Sequence, residues 1–351
     1  MIKTLSPYYK NIPWVQASSG TTTSKYILNI YVWSGLKASV PASPTIEQEN
    51  INPLGRTDST DINISRFVNS FLNINLPIQT TTALNDANSM VWVKTEVIYY
   101  IAGVAQAAEL EETTSAVKGY TYGIEGTNIS TPANNYLATT IEQKVNKTGV
   151  YLFSFLGSET VSTVITLAST TVTKTLTKTA STNSTDLIQS VYIKVSEFDG
   201  EYIEISKDGV LINTILITDE PTFEPIDLVF ANKEGQLQTV TFFKEKITKL
   251  NVDRQNYESS SGQPINGVHQ YKDYNVNGRE SFTMNSGFVK EDNNEVFTQL
   301  LLSRRVWELK DSVYIPLNLG TNDIEYKSRY KDRLINYKID FKYSFSKINN
   351  I

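Results

Sequence analysis

One imidazole, His269, is all the histidine the chain has, and cysteine is absent. Together these remove thiolate nucleophiles, disulfide staples, Cys/His zinc centres and every catalytic arrangement needing a second imidazole. His269 lies in Gly262-Gln-Pro-Ile-Asn-Gly-Val-His-Gln-Tyr271, a turn-rich stretch. A general base must reach a nucleophile and be oriented by a third group. No such partner is identifiable, so His269 reads as a surface or hydrogen-bonded structural residue.

Carboxylate pairs are the chemistry that remains, because a glycosidase needs only two acids at a set separation. Glu109/Glu111/Glu112, Glu201/Glu204 and Glu291/Asp292 can be drawn as pairs. On strands or at helix starts such acids are solvated or offset the helix dipole. A calcium loop wants alternating Asp/Asn oxygens, a glycine and a late bidentate Glu. Asp58-Ser-Thr-Asp61-Ile-Asn63 and Asn318-Leu-Gly-Thr-Asn322-Asp323 approach that spacing only loosely and read as polar turns. Gly119-Tyr-Thr-Tyr-Gly-Ile-Glu-Gly126 is no phosphate cradle, since no Lys-Ser/Thr helix start follows, and its glycines read as turn residues. No catalytic residue, metal site or cofactor is expected, and no small-molecule substrate.

Two basic, aromatic segments stand apart: Ser303-Arg-Arg-Val-Trp307 and Tyr326-Lys-Ser-Arg-Tyr-Lys-Asp-Arg333. Arg interleaved with Tyr can stack bases, but Arg, Trp and Tyr are also the residues enriched at protein–protein hot spots. The chain is acidic overall, with a net charge of -5, which disfavours a nucleic-acid footprint. Arg304, Arg305, Trp307, Tyr326, Arg329, Tyr330 and Arg333 are therefore the expected protein-interface residues.

The elements that position these groups read mainly as strands. Period-two alternation marks residues 26–33, 90–101 and 189–195, all rich in β-branched and aromatic side chains. Lys207-Asp-Gly209 joins 202–206 to 210–217 as a hairpin, since primed turns need positive φ. From Ile335 to Phe345 every second residue is apolar, which predicts one long strand. Residues 160–185 hold 11 threonines, alternating with Val, Lys and Leu over 171–179, as an edge hairpin would require. Helical period appears twice: Ile64, Phe67, Val68 and Phe71, with Asp61 or Ser65 as caps, and Val296, Phe297, Leu300 and Leu301.

At 351 residues, the chain has room for two or three domains. Residues 224–351 carry 18 Lys+Arg and 17 Asp+Glu, against 14 and 20 in residues 1–223, and two prolines mark the shift. The expected fold is mainly β, two or three β-sandwich or barrel-like domains with a few short helices. Its expected parts are 1–115 with a helix near 64–72, a Thr-rich 116–223, and a charged 224–351 with a helix near 291–303. No stretch of ~18 apolar residues occurs and no apolar leader opens the chain, so a soluble protein made in a cytoplasm, with no membrane partner, is expected.

Several short blocks, taken together, look familiar. Tyr26-Ile-Leu-Asn-Ile-Tyr-Val-Trp-Ser-Gly35 with Asp61-Ile-Asn-Ile-Ser-Arg-Phe-Val68 resembles the opening of tail-associated structural proteins of phages infecting Bacteroidota, crAss-like phages among them. The Gly119–Gly126 block, Val229-Phe-Ala-Asn-Lys-Glu-Gly235, Ser281-Phe-Thr-Met-Asn-Ser-Gly287 and Leu301-Leu-Ser303 are similar to others in such proteins. The resemblance covers most of residues 20–125 and 224–351. It implies a non-enzymatic virion subunit of a hub, ring, collar or baseplate-like component, a cyclic homo-oligomer partnered by other tail or collar proteins. The alternative is a carbohydrate-binding adhesin or receptor-binding protein, with exposed aromatics stacking on sugars.

Overall fold

The computed structural model describes residues 1–14, 23–52, 58–125, 133–259, 262, 266–321 and 334–347. The fold is mainly β: of the described residues 53% lie in strands and 10% in helices, with several sheets and only short helices among them. The longest helix among the described residues is Asn294–Leu302.

The N-terminal sheet runs in the order Ile2–Lys3, Glu109–Val117, Met90–Ile101, Lys25–Trp33, Ile46–Ile51. Ile2–Lys3 lies parallel to Glu109–Val117, and the other neighbours are antiparallel. Its inward side chains, Tyr26, Leu28, Ile30, Val91, Val93 and Val97 among them, form one core with Ile64 and Val68.

In the middle of the chain two sheets share a core. One has the order Gln143–Asn146, Val210–Thr218, Tyr202–Lys207, Thr163–Ala168, Thr173–Lys178; the other is Val150–Leu156, Ile188–Lys194 and Ala83–Asp86. Phe153, Phe155 and Val191 from the smaller sheet meet Ile165, Leu167, Ile203 and Ile205 from the larger. Thr173–Lys178 is an edge strand, and alternating Thr and Lys suit an edge with one solvated face. Asp208 and Gly209 both take positive φ, 51° and 82°, as the hairpin between Tyr202–Lys207 and Val210–Thr218 requires.

The C-terminal sheet has the order Leu237–Phe242, Ile226–Ala231, Val306–Lys310, Val313–Leu319, Lys338–Tyr343, Tyr271–Asn285, Lys246–Glu258. Helix Asn294–Leu302 packs Val296, Phe297 and Leu300 onto it, against Phe230, Phe242, Phe282 and Phe341.

Two local expectations are corrected. The alternation from Ile335 is not one strand: Leu334–Ile335 pairs with Val289–Lys290, and Lys338–Tyr343 pairs separately with Tyr271–Asn285 and Val313–Leu319. Ile335, Tyr337, Ile339 and Phe341 are nevertheless all buried, so the alternation reports a shared core rather than a continuous ladder. The helix near 64–72 is a single turn, Ser65–Val68, followed by a 3-10 turn, Asn69–Phe71. Ile62 before it belongs to strand Ser59–Asn63, and Phe71 is exposed. Neither Asp61 nor Ser65 caps it; Asn63 Oδ1 accepts from the Ser65 N–H at 3.1 Å instead.

Candidate interaction site

The three sheet systems meet at the turn between Ile226–Ala231 and Leu237–Phe242. Asn232 organises this turn, its Oδ1 accepting from the N–H groups of Glu234 and Gln236 at 3.0 and 3.1 Å. The turn then reaches outward in three directions. Asn232 Nδ2 donates to Leu137 O at 2.9 Å, Ser89 Oγ donates to Gln236 Oε1 at 2.8 Å, and Lys3 Nζ donates to Glu234 Oε1 at 3.0 Å. The Tyr120 N–H donates to Lys233 O at 2.7 Å.

Gly119 and Gly235 make that approach possible. A Cβ on Gly119 would lie 2.6 Å from Lys233 O, and one on Gly235 would lie 2.5 Å from the Lys118 carbonyl carbon. Gly119 thus serves a close backbone contact rather than the turn expected of it; Gly235 also needs its φ of 74°.

Beside this junction runs a cleft of about 210 Å³ whose lining includes Lys118, Arg304 and Arg305. Lys118 follows strand Glu109–Val117, while the two arginines leave the C-terminal end of helix Asn294–Leu302. Arg304 and Arg305 are exposed, and Lys118 is half-buried. Burial first, and then the charges of Arg305 and Arg304, hold the Lys118 ammonium below its ordinary range.

Trp307 is placed differently. It is half-buried on strand Val306–Lys310, opposite Val229, and packs with Leu309 and Tyr314 on a small cluster of Leu152, Tyr192, Val229 and Leu237. That cluster joins the central and C-terminal sheets within the chain. Tyr326, Arg329, Tyr330 and Arg333 lie outside the described residues. Of the expected interface residues, the structure therefore brings Arg304 and Arg305 to one cleft and puts Trp307 in a separate cluster.

The longest strand pairing among the described residues forms an exposed arm. Lys246–Glu258 pairs with Tyr271–Asn285 over thirteen matched positions, with a bulge at Gln255/Asn256. At roughly 3.3 Å per residue it is about 40 Å long. Every residue of its edge strand after Lys246 is exposed, and Lys338–Tyr343 flanks only Ser281–Asn285 at its base. Ile247, Leu250 and Val252 are exposed along it, and Tyr257, Tyr271 and Tyr274 near its end. Tyr257 and Tyr274 pack ring to ring at 6.0 Å. His269 is exposed at the tip, where its carbonyl accepts from Ser259 Oγ at 3.0 Å.

The three sets of carboxylates weighed as acid pairs lie apart from one another, each set within or beside a single element. Glu111 and Glu112 meet Lys94 and Lys10, Glu201 and Glu204 lie at a hairpin strand, and Glu291 and Asp292 occupy a 3-10 turn before the long helix. Among the described residues no group of three His, Asp or Glu could hold a metal ion, and no helix is long and apolar enough to cross a membrane.

Lys3, Lys118, Glu234 and Gly235 carried no separate signal in the sequence as members of a site, because each is an ordinary residue until the sheets bring it to its partner. No protein-family model, curated protein or solved structure matches this chain.

Proposed function

We propose that the chain is a structural subunit of a phage virion tail, part of a hub, ring, collar or baseplate-like component, and that it works by oligomeric assembly rather than by turnover. The arm carries this reading. A two-stranded ribbon is marginal by itself in water, and a long exposed edge strand bearing Ile247, Leu250 and Val252 is a template for another chain. In a ring, such an arm meets a different patch on the next copy, and closure caps each edge in turn.

Mass spectrometry of density-gradient-purified phage particles from the source tests it. A fixed low copy number relative to the capsid protein, on the order of six to twelve, is expected of a closed rotational assembly. Absence from the particles would discard the proposal.

The exposed Tyr257, Tyr271 and Tyr274 favour a second reading, an adhesin whose arm tip stacks on sugars. Reproducible binding to one sugar class on a glycan array, lost in Tyr271→Ala with Tyr274→Ala, would put that reading ahead.

A further inference from the structure

The cleft between the N-terminal and C-terminal sheets gathers three cations with no acid to balance them. Among the described residues Lys118, Arg304 and Arg305 form no ion pair, and none of the residues lining the cleft is acidic. Among the described residues Lys118 Nζ reaches only a backbone carbonyl, Leu72 O, at 3.4 Å. The helix end accounts for part of this, because cations after Leu302 are favoured by the dipole. It does not account for Lys118, which arrives from another sheet and is held beside the arginines by the junction described above.

Two further features bear on what would fill the space. Asn69 Oδ1 is buried in the same lining with no hydrogen-bond partner among the described residues. Leu5, Ile74 and Leu302 supply an apolar wall. Guanidinium forks match the two oxygens of a carboxylate or phosphate, and an ammonium adds a point charge.

We propose that this cleft binds one oxyanion, a carboxylate or phosphate group, between Lys118, Arg304 and Arg305, with Asn69 Oδ1 accepting from a donor beside that anion. The site does not depend on the virion reading, since it rests on charges within one chain. An acidic residue of a peptide supplies all the features at once: the carboxylate, a short apolar stem and a neighbouring N–H. Inorganic phosphate supplies the charge alone.

Isothermal titration calorimetry on the full chain separates these sources. The probes are inorganic phosphate and the capped dipeptide acetyl-Leu-Glu-amide, with acetyl-Leu-Gln-amide and sodium chloride at matched ionic strength as controls. Saturable binding of phosphate or of the Glu peptide, at least tenfold weaker in Arg304→Gln with Arg305→Gln and weakened in Lys118→Met, is the expected result. Phosphate binding alone identifies a free ion as the ligand, and binding of the Glu peptide identifies an acidic segment. Both arginines are exposed, so their double variant keeps its thermal midpoint in chloride and reports binding rather than folding. Equal heats for the Glu and Gln peptides, together with no phosphate binding above the chloride control, would overturn the proposal.

Discussion

Lys3 and Glu234, 231 positions apart, form an ion pair at 3.0 Å with side chains only 5% and 10% exposed. The pair ties the first strand of the chain to the turn on which all three sheet systems converge. Glu234 Oε2 is itself buried without a partner among the described residues, so the lysine carries most of the compensation for that charge.

Removing one member leaves the other uncompensated. Lys3→Met should therefore cost about 3–5 kcal/mol in urea unfolding, whereas Lys3→Met with Glu234→Met should recover most of that loss. Equal losses in the single and double variants would mean that the pair is not acting as a unit.

Asp227 joins the central and C-terminal sheets: Thr241 Oγ1 donates to its Oδ1 at 2.6 Å and the Val150 N–H to its Oδ2 at 2.9 Å. Burial outweighs both bonds and pushes its carboxyl up to about 6, from 3.8. A raised folded pKa means that the native state binds the proton more tightly. Its contribution is full below about pH 4 and is lost as pH rises through about 6, a change of roughly 3 kcal/mol. The stability difference between wild type and Asp227→Asn should shrink by about that amount between pH 4 and pH 7. A difference that is flat with pH would contradict it.

Gly235 and Gly209 separate backbone strain from close contact. Both have positive φ, but a Cβ at Gly209 meets nothing within 4 Å, while at Gly235 it would strike the Lys118 backbone. Gly209→Ala should cost about 1–2 kcal/mol, the left-handed penalty alone. Gly235→Ala should cost a further ~1–3 kcal/mol from overpacking at the junction. Chemical denaturation of both variants measures the difference.

The outer arm should be dispensable for folding. Phe282 and Met284, which belong to the C-terminal core, sit at its base, whereas Tyr271–Asn275 and the strand opposite are exposed. Replacing residues 253–277 by a two-residue Asn-Gly turn should leave stability within about 0.5 kcal/mol by calorimetry, as for surface changes elsewhere. On the assembly reading the same variant should remain monomeric by light scattering under conditions where the intact chain oligomerises.

Much of the local structure was legible because burial imposes a period. Tyr26, Leu28 and Ile30 alternate on a strand that does form, and Val296, Phe297 and Leu300 share the inner face of a helix that does form. Where structure and periodicity part, two geometries fit one pattern. Ile62 and Ile64 suit a strand, Ile64 and Val68 a helix, and the chain uses each in turn. From Ile335 to Phe341 alternation continued across a break because both pieces face the same core.

Composition and spacing by themselves determined the mainly β character, the hairpin at Asp208-Gly209 and the absence of thiol chemistry, since each depends on residue type and near neighbours. Only the tertiary structure decided that Lys118 stands beside Arg304 and Arg305, that Lys3 finds Glu234, and that Trp307 closes a cluster within the chain. These partners are far apart in sequence. Their meeting depends on which strands pair and in what register, which the period of a strand does not encode.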